Sequence, residues 1–206
     1  MTEFDRASIR TFRFTGCGFD AATGEARLAY AFDDGPALVE TVRFPGAPFA
    51  LDAARADAVQ RALRLLHLVA GVSYYKAAVP PEIVIEGDGI DQATATLLTS
   101  LYENGLGEFA YRNGLSLRGK IHFPVGGTSV PMLSGEVPSG LKSLPQDSRA
   151  LVAIGGGKDS LVSSEALRAL GIAQTVAWVG SSPLIKACAE RTGLPTLNVT
   201  DRKSVV

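Results

Sequence analysis

The chain has 206 residues, enough for one large domain or for one domain and part of another. Hydrophobic residues make up 46% and charged residues 20%, so a buried core is expected and a disordered chain is excluded. A net charge of −1 with no basic block offers nucleic acid no electrostatic footing.

The N-terminus MTEFDRASIRTFRF carries acids and arginines where a signal peptide needs an apolar core. No apolar run reaches the roughly 18 residues of a membrane span. Together these readings predict a soluble, cytoplasmic protein with no membrane partner. Cys17 and Cys188 stand far apart, with no second Cys or His at ligand spacing, and read as buried, reduced thiols.

Ile9 to Phe19, Glu25 to Phe32 and Leu38 to Phe44 alternate apolar and polar residues between the turn formers Thr23-Gly24 and Asp33-Asp34-Gly35-Pro36. That pattern predicts an antiparallel β meander. A helix is expected over about Asp52 to Ala70, capped by Asp52, with an apolar stripe of Val59, Ala62, Leu63, Leu66 and Val69. Glu82 to Glu86 reads as a short strand, and Asp91 to Asn104 as a helix ending at Gly105. His67 beside the stripe reads as structural, and His122 in KIHFP as a strand residue.

From Pro124 to Asp147 the chain turns rich in Gly, Pro and Ser, the composition of a linker or ordered loop. A β-α-β-α pattern follows: Ala150 to Ile154, Ser160 to Leu170, Gln174 to Val179 and Pro183 to Thr192, with Pro195 to Val199 opening a third strand. Such alternation predicts a parallel, doubly wound sheet. The expected fold class is therefore α/β. An N-terminal α+β domain (1–123) leads through a linker (124–148) into the first βα units of an incomplete second domain (149–200). The hexapeptide DRKSVV (201–206) reads as a non-native scar, because it resembles the translation of a sequencing adapter, and the natural protein is expected to continue. Two βα units alone also cannot cover both faces of a parallel sheet.

The second domain opens on LVAIGGGKDSLVSSEALRAL, in which an apolar run, three glycines and an amphipathic stretch follow one another. Strand, glycine turn and helix in that order suit a bound phosphate, because glycines let backbone N–H groups approach an anion and the helix N-terminus adds positive potential. A Walker A loop fails here, since Gly157-Lys158 is followed by Asp159 in place of Ser or Thr. A Rossmann fingerprint fails as well, for want of a third glycine and of an acid ending the next strand.

Gly155-Gly156-Gly157-Lys158-Asp159-Ser160 resembles the S-G-G-x-D-S loop of the N-type ATP pyrophosphatases, with Gly155 in place of the leading serine. The resemblance implies ATP and Mg²⁺ as cofactors. Gly155, Gly156, Gly157, Lys158 and Ser160 would surround the pyrophosphate, and the anionic Asp159 would meet it through Mg²⁺. A plain glycine turn with Asp159 or Ser160 capping the helix is the alternative.

SYYKAAVPPEIVIE (Ser73 to Glu86) and LYENGLGEFAYRNGL (Leu101 to Leu115) resemble the UDP-N-acetylmuramoyl-L-alanyl-L-glutamate epimerase family, MurL. That resemblance implies ATP-dependent epimerisation of the terminal L-Glu of UDP-MurNAc-L-Ala-L-Glu to D-Glu through an acyl-adenylate, in peptidoglycan precursor biosynthesis. Another ATP pyrophosphatase, adenylating a substrate for ligation, amidation or thiolation, stays open as the alternative.

Within these stretches Tyr74 and Tyr75 read as packing residues, and Lys76 as a partner for substrate carboxylate or phosphate. Glu103, Asn104, Glu108, Tyr111, Arg112 and Asn113 crowd around Gly105 and Gly107, where a helix breaks and restarts. There Arg112 could clamp a carboxylate and Glu108 act as a base; a solvated helix face is the competing reading.

Overall fold

The computed structural model describes residues 5–126 and 149–203. The expected linker therefore lies outside the described residues from residue 127 onward.

Three strands, β1 (Thr11–Asp20), β2 (Glu25–Phe32) and β3 (Leu38–Arg43), form the expected meander, both pairs antiparallel. The β1–β2 turn closes on Gly24, held at φ 71°, where a Cβ would stand 2.5 Å from the Phe44 carbonyl oxygen. Only glycine fits that turn. Helix α1 (Ala53–Ala70) starts as expected at Asp52, whose carboxylate accepts from the Arg55 N–H at 2.8 Å. After the short α2 (Val72–Tyr75) come β4 (Glu82–Ile85), α3 (Gln92–Gly105) and α4 (Gly107–Arg112), so the helix does break and restart at Gly105. The C-terminal part runs β5 (Arg149–Ala153), α5 (Lys158–Ala169), β6 (Ala173–Val179), α6 (Pro183–Arg191) and β7 (Thr196–Lys203).

The sheet corrects the expectation of a simple antiparallel meander. It is mixed and seven-stranded, in the order β4-β1-β2-β3-β7-β6-β5. β4 adds to β1 in parallel, because α1 carries the chain back across the sheet before β4 begins. β7 is parallel to β6 and antiparallel to β3, so one strand joins the meander to the parallel β5-β6-β7 unit. The rungs from Thr200 to Lys203 face Arg43 to Glu40. No helix among the described residues is long and apolar enough to cross a membrane.

Two further expectations change. The buried face of α1 is Leu63, His67 and Leu68, while Ala62 and Leu66 of the expected stripe are exposed. The helix lies mainly over β1 and meets it through the 63/67/68 side. Val59, Ala62, Leu63 and Leu66 instead border an apolar groove closed by Phe19, Phe44 and Phe49. Ile121, His122 and Phe123 alternate buried, exposed, buried, as a strand would, yet belong to no ladder. His122 is thus an exposed residue of an extended segment ending at Pro124, which has no N–H to offer a ladder.

The main core is aromatic. Phe12, Phe14, Tyr30, Tyr75 and Tyr102 are all at most 2% exposed, and each is worth roughly 1.5–3 kcal/mol of burial. Their hydroxyls are spent inside: Tyr30 donates to the His67 carbonyl at 3.0 Å, Tyr75 to Pro80 at 3.1 Å and Tyr102 to Leu68 at 2.7 Å. A smaller second core holds Val152, Ile154, Val176, Trp178 and Ala189. Cys17 and Cys188 are free thiols as expected, but each is half-buried at the margin of one core, a correction to the expected full burial.

His67 is structural, as expected: its Nε2 donates to the Ala29 carbonyl at 2.8 Å under the rings of Phe14 and Tyr30. Burial holds its imidazole below the ordinary value of 6.5. The unfolded chain takes up a proton that the folded chain resists, so His67's contribution is fully present above pH 6.5 and is lost as pH falls toward the folded value. Glu40 slopes the other way. Burial raises its carboxyl above 4.5, against the pull of Lys203 at 3.5 Å, so its contribution weakens as pH rises through that shifted range. The decisive reading is therefore the difference between wild type and His67→Gln. Wild type should lose more melting temperature than the variant between about pH 7.5 and pH 5.5, and parallel curves would refute this account.

Candidate functional site

The glycine loop is built by the parallel unit. β5 ends at Ala153, the loop crosses Gly155, Gly156 and Gly157, and α5 starts at Lys158. Gly156 sits at φ 81°, a conformation that favours glycine, and packs under α6, with Ile185 Cγ1 3.6 Å from where its Cβ would be. Around the Cβ positions of Gly155 and Gly157 nothing lies within 4 Å.

The N-cap of α5 is Gly157, with no side-chain cap hydrogen bond. The alternative of an Asp159 or Ser160 cap is therefore not what forms. The Ser160 hydroxyl donates to the Gly157 carbonyl at 3.0 Å, and Asp159 is exposed. Beside this loop runs the one after β6, Gly180 to Ser182, also at the carboxyl end of a parallel strand, where α/β sheets bind ligands. The Gly180 N–H donates to Val199 at 2.8 Å, and the Asp201 carboxylate lies 3.8 Å from the Cβ position of Gly180. The open cradle is thus glycine backbone and a bare helix start, flanked by Lys158, Ser160 and the carboxylate of Asp159.

The second group of candidates gathers at the broken helix. Lys76, Glu108, Arg112 and Asn113 line one shallow cavity of about 430 Å³ with Gly105, Leu106 and Phe109. Glu108 and Arg112 face each other at 2.9 Å one helical turn apart, both largely exposed. Such a pair is worth only about 0.3–0.5 kcal/mol, so either partner can be recruited by a ligand at little cost. Other polar residues of this stretch serve the local backbone. A Glu103 carboxylate oxygen accepts from the Gly119 N–H at 2.6 Å, Asn104 Nδ2 donates to Ser100 at 2.8 Å, and Asn113 Nδ2 donates to Phe109 at 2.8 Å. Tyr74 and Tyr75 are buried packing residues, and Tyr111 points to solvent.

The structure does not bring the two groups together. In the strand order β1, the strand beside β4, stands five places from β5, and the Lys76–Arg112 cavity is lined by no residue of the glycine loop. Among the described residues no cluster of three or more His, Cys, Asp and Glu is placed to hold a metal ion. A Mg²⁺ bound mainly by nucleotide phosphates needs no such cluster, and one carboxylate like Asp159 suffices.

Comparison with known proteins matches residues 3–203 to the MurL N-terminal domain. A UDP-N-acetyl-alpha-D-muramoyl-L-alanyl-L-glutamate epimerase of Xanthomonas oryzae pv. oryzae (strain MAFF 311018) is 61% identical over 199 residues, which is 97% of this chain and 42% of that protein. Proteins of the same name from a Micromonospora species (strain ATCC 39149) and from Salinispora tropica are 39% and 37% identical, each over 90% of this chain and 40% of their own length. The chain thus spans about two-fifths of the length of the curated relatives it matches. No solved structure matches it. With nearly every residue inside the matched region, the chain belongs to the MurL N-terminal domain family.

Proposed function

We propose that this chain is part of an ATP- and Mg²⁺-dependent epimerase that converts the terminal L-Glu of UDP-MurNAc-L-Ala-L-Glu to D-Glu, in peptidoglycan precursor synthesis. The observation that carries the reading is the uncapped strand–glycine–helix cradle at residues 153–158, in a chain whose relatives bear the epimerase name. We read β5 to β7 with α5 and α6 as the opening of an N-type ATP pyrophosphatase domain. The open edge of β5, with exposed Leu151 on it, Val162 on α5 and Leu170 at the C-cap of α5, supports that reading, because such surface suits cover by further strands and helices.

The donor set fits a nucleotide pyrophosphate. Gly155 and Gly157 present backbone without side-chain obstruction, Gly156 turns the chain between them beneath α6, and the α5 N-terminus adds positive potential. Lys158 supplies charge, Ser160 a hydroxyl, and Asp159 a ligand for Mg²⁺. ATP would adenylate the substrate's α-carboxylate, removing the negative charge that makes the adjacent C–H so weakly acidic. A base of the enzyme then takes the α-proton, and reprotonation on the other face inverts the centre. Hydrolysis of the acyl-adenylate releases AMP and the D-Glu product. Lys76 and Arg112, in their shallow cavity far along the sheet, suit recognition of substrate carboxylate or phosphate better than contact with the cradle.

The test is turnover in D₂O by a protein carrying this chain together with the rest of the proposed pyrophosphatase domain. Given UDP-MurNAc-L-Ala-L-Glu, ATP and Mg²⁺, it should release AMP and pyrophosphate and place one solvent deuterium at the glutamate α-carbon. AMP release without deuterium would sink the epimerase reading while leaving adenylation standing.

A further inference from the structure

A larger cleft lies at the far end of the sheet from the glycine cradle. It encloses about 880 Å³ between the N-terminal segment around Arg6 and Arg10, the 78–81 turn, and the 114–120 segment ending at Lys120. That size is within the range of small-ligand sites. Among the described residues its charge is lopsided: Arg6, Arg10 and Lys120 line it against one acid, Asp5, whose carboxylate already accepts from the Ala7 N–H at 3.0 Å. None of the three cations forms an ion pair among the described residues; Arg6 only lies over the Phe109 ring, 5.7 Å from its centre. Phe109 is itself a wall of the Lys76–Arg112 cavity, so the two basic surfaces meet at that stack.

The walls of the cleft are tied by hydrogen bonds. Arg10 is pinned from both sides of its backbone: its N–H donates to the Asp33 carboxylate at 3.1 Å, and its carbonyl accepts from the Glu82 N–H at 3.2 Å. The Asp33 residue doing this sits at φ 46°. On the opposite wall Val79 is at φ 53°, a conformation costing a β-branched residue on the order of 1–3 kcal/mol. It persists because its N–H donates to Tyr75 at 2.8 Å and because Tyr75 in turn fixes Pro80 through its hydroxyl. Tyr75, Ile9 and Pro80 give the cleft an apolar wall beside the cations. Hydrogen-bonded walls, an apolar side and cations without an ion pair among the described residues suit a flat base carrying two phosphates, and a neutral ligand would leave the charge unanswered.

We propose that this cleft binds a nucleoside diphosphate, with Arg10, Lys120 and Arg6 on the phosphates, and that it is the handle by which the substrate is held. The choice of ligand rests on the epimerase reading; the existence of a diphosphate site there does not.

Calorimetric titration of the 206-residue chain with UDP and with uridine tests it. UDP should bind, more weakly as salt rises, and uridine should not. Arg10→Ala/Lys120→Ala should weaken UDP on the order of tenfold or more, and Arg10→Lys/Lys120→Arg should restore most of it. Both positions are exposed, so folding should survive; if the double variant nevertheless unfolds, Arg6→Ala is expected to weaken UDP alone. Gly157→Val, at an ordinary φ of −92° with nothing within 4 Å of the Cβ position, obstructs the other cradle and should leave UDP binding intact. Undetectable binding to the wild type, unchanged affinity in the double variant, or loss in Gly157→Val would each overturn the proposal. Turnover enters none of these arms, so a failed epimerase assay leaves the site standing, and failed UDP binding leaves epimerisation to be judged by deuterium.

Discussion

Gly71→Ala is expected to destabilise the protein by roughly 2–4 kcal/mol, a large fraction of a typical domain's stability. Gly71 links α1 to α2 at φ −53°, which any residue adopts, so the penalty is steric and owes nothing to backbone strain. A methyl there would stand 2.5 Å from Phe14 Cε1, 2.9 Å from Phe14 Cζ and 2.9 Å from the Tyr102 hydroxyl. Neither ring can yield. Phe14 is 1% exposed and packed on Phe12, Tyr30, His67 and Phe123, and the Tyr102 hydroxyl is committed to the Leu68 carbonyl at 2.7 Å. Moving the tyrosine would leave that buried carbonyl unsatisfied, a further cost of about 1–3 kcal/mol, while Ala recovers about 1 kcal/mol of helix propensity over Gly. The matched control is Gly107→Ala in α4, where nothing lies within 4 Å and the change should be neutral or slightly stabilising. Urea denaturation of both variants gives the comparison, and equal effects would dismiss the steric account.

The contact behind that prediction shows where sequence reading stops. The meander, the Asp52 cap, the break at Gly105 and the glycine turn before α5 were legible because each is written within a few neighbouring residues. What was not legible joins distant segments. β4 pairs with β1 across some 70 residues, and β7 with β3 across some 160, and neither pairing leaves a local mark in either strand. The apolar stripe of α1 was misplaced for the same reason. Periodicity finds the apolar residues, but which of them face the sheet depends on β1's position under the helix, and a groove at Phe19, Phe44 and Phe49 takes the rest.

The candidate site divides in the same way. The Gly155–Ser160 loop is a contiguous motif and could be read directly. The Lys76–Arg112 cavity was visible as polar residues crowding a helix break, but not as one surface. The basic cleft escaped altogether, since Arg6, Arg10 and Lys120 lie in segments with no common pattern and meet only after folding. If both proposals hold, the cleft and the cradle, set at opposite ends of the strand order, would divide the labour: one would hold the substrate and the other would activate ATP. A UDP-MurNAc-dipeptide, extended, is long enough to make such separation useful.

Under the proposed function, Asp159→Ala should lower AMP release by at least about a hundredfold while barely changing stability. The argument turns on what this carboxylate is not doing. Asp159 is exposed in the first turn of α5, and the helix cap is Gly157 with no side-chain bond, so Asp159 closes no turn. Its favourable interaction with the helix N-terminus is worth only about 0.3–1 kcal/mol. Placed against a polyphosphate, the same negative charge is repulsive unless a divalent cation stands between them; it then becomes the protein's own hold on that cation. Removing it should cost transition-state stabilisation and leave the fold intact. Asp159→Asn separates charge from shape: it keeps the side-chain volume and should be nearly as inactive, with excess Mg²⁺ recovering part of the rate. AMP release measured alongside melting temperature reads both quantities. A variant that melts early and loses activity in proportion would make Asp159 a structural residue, and one that adenylates at the wild-type rate would remove Asp159 from the metal site.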